Sequence, residues 1–474
     1  MTRLSLRTLA GTRAELPAYD RGMVSRGIVH LGIGNFHRAH QAVCLDDRLA
    51  ADPSWGIRGV SLRRPDMAQA LSPQDGLYTL AVRDGGGTRA RVVGSILDVL
   101  VAAHDSRAVL AALIDPAIRI VSLTVTEKGY CHDPAGGDLD PEHPGIRADL
   151  AMPDVPGTVP GLLAEALRRR REAGTPPFTV LSCDNLPSNG ATLARIVGQF
   201  AARRDPDLAR WIAGEVAFPS TMVDRITPAT TDADRPEIAA LTGRHDAWPV
   251  VTEPFSQWVI EDRFPLGRPD FGLGGAAFVA DVAPFEHMKL RMLNGAHSTL
   301  AYFGQLTGRE TVADAMETPG LAALVGRVMA QAAGTLSLPQ DDLAGYADAL
   351  AARFRNPALK HKTRQIAMDG SQKIPQRLLG TIRDAQARGL PWDAAALGVA
   401  AWIAYLRTGP VDDPMSARFE ALAGAHPDPR DFARAVLDLH EVFGDLAGAD
   451  RVRATVTEAV ATIAGGGAQR VLPT

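Results

Sequence analysis

The stretch Gly27-Ile28-Val29-His30-Leu31-Gly32-Ile33-Gly34-Asn35-Phe36-His37-Arg38 decides the fold class of this 474-residue chain. Its first five residues read as a buried strand. Gly32 and Gly34 then punctuate it, and a helical pattern runs on through residue 49. Strand, glycine turn and helix, in that order, open a doubly wound α/β fold. Outward from there, strand-like runs fall at residues 55–62, 118–126, 178–183 and 217–222, and 77–82 with 90–96 reads as a hairpin-like insertion. Helical patterns lie between them at 106–113, 161–171 and 192–203. This alternation predicts a mostly parallel sheet buried on both faces. After about residue 281 the periodicity turns helical, with alanine-rich segments at 321–333, 394–406 and 432–442. The expected domains are therefore 1–280, an α/β unit, and 281–474, a mainly α-helical one.

Composition narrows the function. The net charge of −4 leaves no electrostatic footprint for nucleic acid or an anionic membrane. Aromatic residues make up 5%, which argues against a base-stacking surface. Cys44, Cys131 and Cys183 are odd in number and widely spaced, which suits neither a disulfide framework nor structural zinc. A reducing cytoplasm is the expectation, and the first twenty residues lack the apolar core of a signal peptide. The apolar run at 92–103 is broken by Asp98 and is too short to span a bilayer.

Three clusters carry candidate chemistry. Gly32 permits a tight turn, and Gly34 lets backbone approach a pyrophosphate at a helix N-terminus. His37 stands where the usual fingerprint has its third glycine. The acid expected after the second strand is also missing, because that region reads Ser61-Leu62-Arg63-Arg64-Pro65-Asp66. Two arginines there either accept a 2′-phosphate or stay solvated, so NAD and NADP both remain open. The second cluster runs from Pro284 to His297. On an α-helix with Lys289 at 0°, Glu286 falls at about 60°, His297 at about 80° and Asn294 at about 140°. Such a polar arc is either a site or a solvated face. The third cluster, Ser182-Cys183-Asp184-Asn185, ends a strand, where open α/β sheets bind ligands. Turn capping explains it equally well. Asp224-Arg225 and Thr126-Glu127-Lys128-Gly129 pose the same choice.

Together these blocks resemble the mannitol dehydrogenase family, the polyol-specific long-chain dehydrogenases/reductases. The matching residues are those at 32–38, Thr126 to Tyr130, Ser182 to Leu186, Val223 to Pro228, Glu253-Pro254-Phe255, the Lys289-x4-Asn294-x2-His297 signature, and Lys362 to Lys373. The resemblance implies an N-terminal Rossmann-type domain, a helical C-terminal domain, a site between them and no metal. It implies Lys289 as general base, Asn185 and Asn294 as the pair polarising the reacting oxygen, His297 as a substrate-orienting group and Glu286 as a gate for proton exit. Asp224, Arg364 and Lys373 are the implied substrate contacts. Cofactor binding is expected over Gly32, Gly34, Asn35, Phe36 and Arg38, with the adenosine ribose near Arg63. NAD is the first expectation, and NADP follows from the arginines. Oxidation of mannitol to fructose leads the substrate expectations, ahead of a fructuronate–mannonate enzyme and of arabinitol. A non-catalytic nucleotide sensor and a zinc alcohol dehydrogenase fit less well. The expected protein is a cytoplasmic monomer acting on a small molecule, with no nucleic-acid or membrane partner.

Overall fold

The structure, a computed structural model, describes residues 1–133 and 137–473. Its chain divides into two compact units, Met1–Val282 and Ala283–Thr474.

Among the described residues the first unit holds eleven strands. They are β1 (Arg26–Leu31), β2 (Gly56–Ser61), β3 (Tyr78–Asp84), β4 (Gly87–Val93), β5 (Ile96–Val101), β6 (Ile120–Leu123), β7 (Thr179–Ser182), β8 (Thr221–Asp224), β9 (Val250–Thr252), β10 (Gln257–Glu261) and β11 (Ala276–Val279). Five of them form a sheet in the order β5-β2-β1-β6-β7, and every pairing in it is parallel. Side chains alternate across this sheet. Val29, Val121 and Val180 enter one apolar cluster, whereas Ile28, Ile120 and Leu181 enter another. Period-two alternation thus buries both faces, as a doubly wound sheet requires. Helices Ser106–Ile114, Val159–Glu172 and Asn189–Arg204 contribute to the first cluster, and Gln41–Asp46 and Asp66–Leu71 to the second.

Several expectations change. Residues 90–96 do not form one strand: β3 and β4 make the hairpin, and β5 then joins the parallel sheet as its edge. Asp98 looked like a breaker of an apolar run. It is an edge-strand residue paired with Arg58 on the adjacent β2, whose Nε lies 2.7 Å away, and with Arg26 at the start of β1, one strand further in. The run at 217–222 contributes β8, which leaves the parallel sheet and pairs antiparallel with β10 in a separate sheet, β11-β10-β8. The first helix is interrupted at His40 (φ −123°, ψ −87°), giving Asn35–Ala39 and Gln41–Asp46.

The second unit is helical among its described residues. Gly295–Leu306 and Asp393–Tyr405 are buried almost all round and pack on each other, which makes them its core. The expected helix at 432–442 stops at Leu437 and resumes at His440. Two turns are π-helical, Lys289–Asn294 and Pro375–Leu379, and they pack against each other. The assumption of 100° per residue therefore fails across Lys289–Asn294. An i→i+5 turn spreads one revolution over more residues, so Asn294 swings back toward the side of Lys289.

Candidate active site

In the first unit the candidate residues gather at the carboxyl ends of β1, β6 and β7. Gly32 closes β1 with φ +92°, and a Cβ there would lie 2.1 Å from the carbonyl oxygen of Thr124. Only glycine fits. The Thr124 hydroxyl also donates to the Gly32 carbonyl at 2.9 Å, joining the ends of β1 and β6. Gly34 is exposed, with nothing closer than 3.9 Å to a Cβ built on it, and it caps the helix Asn35–Ala39. An open glycine leading into free helical N–H groups fits the pyrophosphate of a dinucleotide.

His37, in place of a third glycine, is fully buried and stacks on His30 with ring centroids 3.3 Å apart. His30 contacts the hydroxyls of Ser122 (2.8 Å) and Thr124 (3.0 Å). Burial pushes His30 down to about 3, and burial with the neighbouring His30 holds His37 well below the ordinary histidine range. Phe36 is half-buried and stacks on His40. The expectation for Arg38 is corrected. Its side chain is fully buried, with Nη1 donating to the Trp248 carbonyl (2.6 Å) and Nη2 to Asn35 Oδ1 (2.7 Å). It braces the turn from beneath and takes one lone pair of Asn35 with it. Arg63 is exposed two residues beyond the end of β2, and Arg64 lies 4.0 Å from Asp66.

Asn185 is exposed on the loop after β7. The residue before it organises two loops at once. The carboxylate of Asp184 accepts the amides of Thr126 (2.8 Å) and Val125 (3.1 Å) and the hydroxyl of Tyr130 (3.0 Å). Thr126 is held at φ +63°, a conformation that costs a non-glycine residue roughly 1–3 kcal/mol. Asn189 ties the same loop to β8: its Nδ2 donates to the carbonyls of Asp184 and Thr221, and its Oδ1 accepts the Thr221 amide, each at 2.9 Å. Asp224 ends β8 and is buried. Asp184, Asn189 and Tyr130 were given no role in the sequence reading. Their signal was weak, two polar blocks at strand ends whose mutual contact no spacing reveals.

In the second unit, Lys289 and Asn294 stand at the two ends of one π-helical turn. Glu286 lies in the preceding helix Ala283–Met288, and His297 in the first turn of Gly295–Leu306. Lys289, Glu286 and Asn294 are half-buried. His297 is buried, its ring 4.7 Å from Phe354 and edge-on to His361 at 5.1 Å. Burial, followed by the positive fields of His361, Arg353 and Arg377, holds its pKa well below the usual value, so it is a neutral imidazole near pH 7. Arg364 is exposed on helix Thr363–Ala367. Lys373 is half-buried, with Nζ donating to the Met368 carbonyl (2.6 Å) and 3.6 Å from Asp369. Arg377, which the sequence reading passed over, donates to the Ser298 hydroxyl at 3.1 Å.

Known proteins match both units. The mannitol dehydrogenase Rossmann domain matches residues 26–272, and the mannitol dehydrogenase C-terminal domain matches residues 281–464. The D-mannonate oxidoreductase of Escherichia coli is 46% identical, over 90% of this chain and 91% of that one. Two solved structures align along nearly the whole length. D-sorbitol dehydrogenase in substrate-free form has a TM-score of 0.93 at 36% identity, covering 100% of both chains. The mannitol 2-dehydrogenase of Pseudomonas fluorescens, a ternary complex with NAD and D-mannitol, has a TM-score of 0.83 at 38% identity, covering 99% of this chain and 98% of that one. Such end-to-end similarity places the chain among the Rossmann-type dehydrogenases. It belongs to the mannitol dehydrogenase family. Among the described residues no helix is long and apolar enough to cross a membrane.

Proposed function

We propose that this enzyme oxidises one secondary hydroxyl of an open-chain polyol or sugar acid with NAD, and reduces the corresponding ketone in reverse. The observation that carries this reading is the π-helical turn with Lys289 at one end and Asn294 at the other, followed one turn later by a neutral, buried His297. π-Turns inside α-helices are frequent at functional sites.

In this reading Lys289 Nζ takes the hydroxyl proton, and the amides of Asn185 and Asn294 donate to the oxygen as it gains negative charge. Preorganised neutral donors of this kind are typically worth about 2.7–4 kcal/mol each. A lysine acts as a base only as the free amine, a state that exclusion of water favours. His297, being neutral, orients a substrate hydroxyl without adding charge, and Glu286 passes the proton on to solvent. Asp224, Arg364 and Lys373 line the substrate. A bound NAD supplies the hydride acceptor at its nicotinamide ring. Gly32, Gly34, Asn35 and Phe36 would hold its pyrophosphate and Arg63 its adenosine ribose. Mannitol to fructose is the substrate reading supported by the Pseudomonas fluorescens relative. Oxidation of mannonate is the second, favoured by the cations near His297. A cytoplasmic, monomeric enzyme completes the proposal, and its three cysteines are buried and not joined in disulfides.

The test is reduction of NAD and of NADP by mannitol, sorbitol, arabinitol and mannonate. Turnover of at least one substrate that disappears in Lys289→Ala is the expected result. Cofactor binding without turnover of any of the four would leave the sensor reading in its place.

A further inference from the structure

The helix that follows the glycine turn breaks at His40 (φ −123°, ψ −87°), although no residue from Asn35 to Gln41 is glycine or proline. Without those residues, a sharp break needs a side chain inserted into the ladder of main-chain bonds. In an unbroken helix the Val43 amide would bond to the Ala39 carbonyl. Here it bonds to the His40 carbonyl, at 3.1 Å. The Ala39 carbonyl goes instead to a guanidinium from far along the chain, Arg225, whose Nη1 donates to it. Arg225 directly follows Asp224, and it is half-buried. Its Nη2 and Nε also donate to the Glu253 carbonyl, at 3.1 and 3.3 Å. One planar fork therefore grips two separate stretches of backbone, which a point-charge ammonium does less well.

The same break is tied to the strand on the other side of Asp224. β8 pairs with β10 so that Asp224 stands opposite Gln257, and His40 Nε2 lies 2.9 Å from the Gln257 carbonyl. Nε2 must donate there, which leaves Nδ1 to accept from Gln41 at 3.0 Å. The loop beyond Arg225 is clasped as well. The Glu253 carboxylate accepts the Ile226 amide at 2.5 Å, and the Glu253 amide donates to the Ile226 carbonyl at 3.3 Å. At the start of the helix, the Asn35 side-chain amide reaches the Pro228 carbonyl at 3.5 Å. The helix Asn35–Ala39 and the end of β8 are thus one assembly, and Arg225 is the joint between them.

We propose that Arg225 is a positioning residue that sets where the substrate lies relative to the dinucleotide, by holding Asp224 to the helix behind the cofactor turn. It acts through these two elements rather than on the reacting atoms. This rests on the dehydrogenase reading above, in which Gly32 and Gly34 hold the dinucleotide and Asp224 the substrate. Hydride transfer needs its two carbons within near-attack distance, and a misplacement of about 1 Å costs about a hundredfold in rate. The cofactor turn does not hang on Arg225, because Gly32 is fastened to the end of β6 through the Thr124 hydroxyl. Loss of Arg225 therefore strikes substrate placement and spares dinucleotide binding.

The experiment measures kcat, KM and the Kd for NAD in the full-length wild type, in Arg225→Gln and in Arg225→Lys. The substrate is whichever of mannitol, sorbitol, arabinitol and mannonate the wild type oxidises fastest, and urea unfolding gives the folded fraction of each protein. Arg225→Gln should lower kcat/KM by about tenfold or more, with KM raised as well as kcat lowered, while the Kd for NAD stays within about twofold. Arg225→Lys keeps the charge but not the fork, so its KM should lie between the two, about threefold or more above the wild type. A fall in kcat alone, in step with the folded fraction, makes Arg225 a residue of stability only and overturns the proposal. A loss of NAD affinity as large as the rise in KM overturns it too. If Arg225→Gln does not fold, Arg225→Lys decides, and a wild-type KM in that variant overturns the proposal. A wild type that binds NAD and oxidises none of the four substrates removes the dehydrogenase reading and this proposal together.

Discussion

The carboxylate of Asp184, at the end of β7, accepts the amide of Thr126, beyond the end of β6, at 2.8 Å, and holds that residue at φ +63°. One buried acid therefore makes two loops into one piece, and Asn185 is the next residue along. In Asp184→Asn an amide NH2 replaces one acceptor oxygen and faces backbone N–H groups. Stability should fall by roughly 1–3 kcal/mol, the cost of unsatisfied buried polar groups. Turnover should fall with it through Asn185, while a cofactor resting on Gly32 and Gly34 binds nearly as before. Urea unfolding, kcat and NAD titration read the three quantities. Unchanged stability and kcat would show that the loops are independent.

Lys289→Ala tests the base. Positioned acid–base catalysis contributes about 10²–10⁴-fold, so kcat should drop within that range. The rate–pH curve for alcohol oxidation should lose an ionisation that the wild type shows, and a small primary amine should restore part of the rate. A few-fold change with an unaltered curve would make Lys289 a structural cation.

Arg63 tests the cofactor. Exposed beyond β2, with no acid at the strand end, it offers a cation to a 2′-phosphate. The wild type should use NAD and accept NADP as well. Arg63→Asp should lower kcat/KM for NADP by about tenfold or more relative to NAD, the loss of one charged contact. A wild-type preference for NADP of about tenfold, or 1.4 kcal/mol, would overturn NAD as the first cofactor.

The His30–His37 stack predicts a pH dependence of stability. Both are fully buried, with folded pKa values depressed mainly by burial, that of His30 to about 3. In the unfolded chain each titrates near 6.5. A depressed folded value means that stability is fully present above that point. It is lost as pH falls from about 6.5 toward the folded value, because the unfolded state takes the proton first. For His30 the loss by pH 5 is about 2 kcal/mol, and His37 adds to it in the same direction. Urea unfolding of the wild type and of His37→Gln at pH 7 and pH 5 should give a smaller gap in the variant. An equal gap in both proteins would show that His37 is protonated alike in the folded and unfolded states.

What the sequence determined by itself was local or periodic. The glycine turn was legible because Gly32 needs a conformation that only glycine adopts beside Thr124. The parallel sheet and the helical second half were legible because burial repeats every two residues in a strand and every three or four in a helix. The tertiary structure decided whatever depends on a partner distant in the chain. Asp98 read as an interruption until Arg26 and Arg58, brought alongside by parallel pairing, made it an edge-strand residue. Arg38 read as a cofactor contact until Trp248, 210 residues away, claimed its guanidinium. The polar arc from Lys289 to Asn294 was drawn on an α-helical wheel. It was redrawn because the turn there is π-helical and packs against a second π-turn carrying Arg377, a contact between segments some eighty residues apart that no local periodicity encodes.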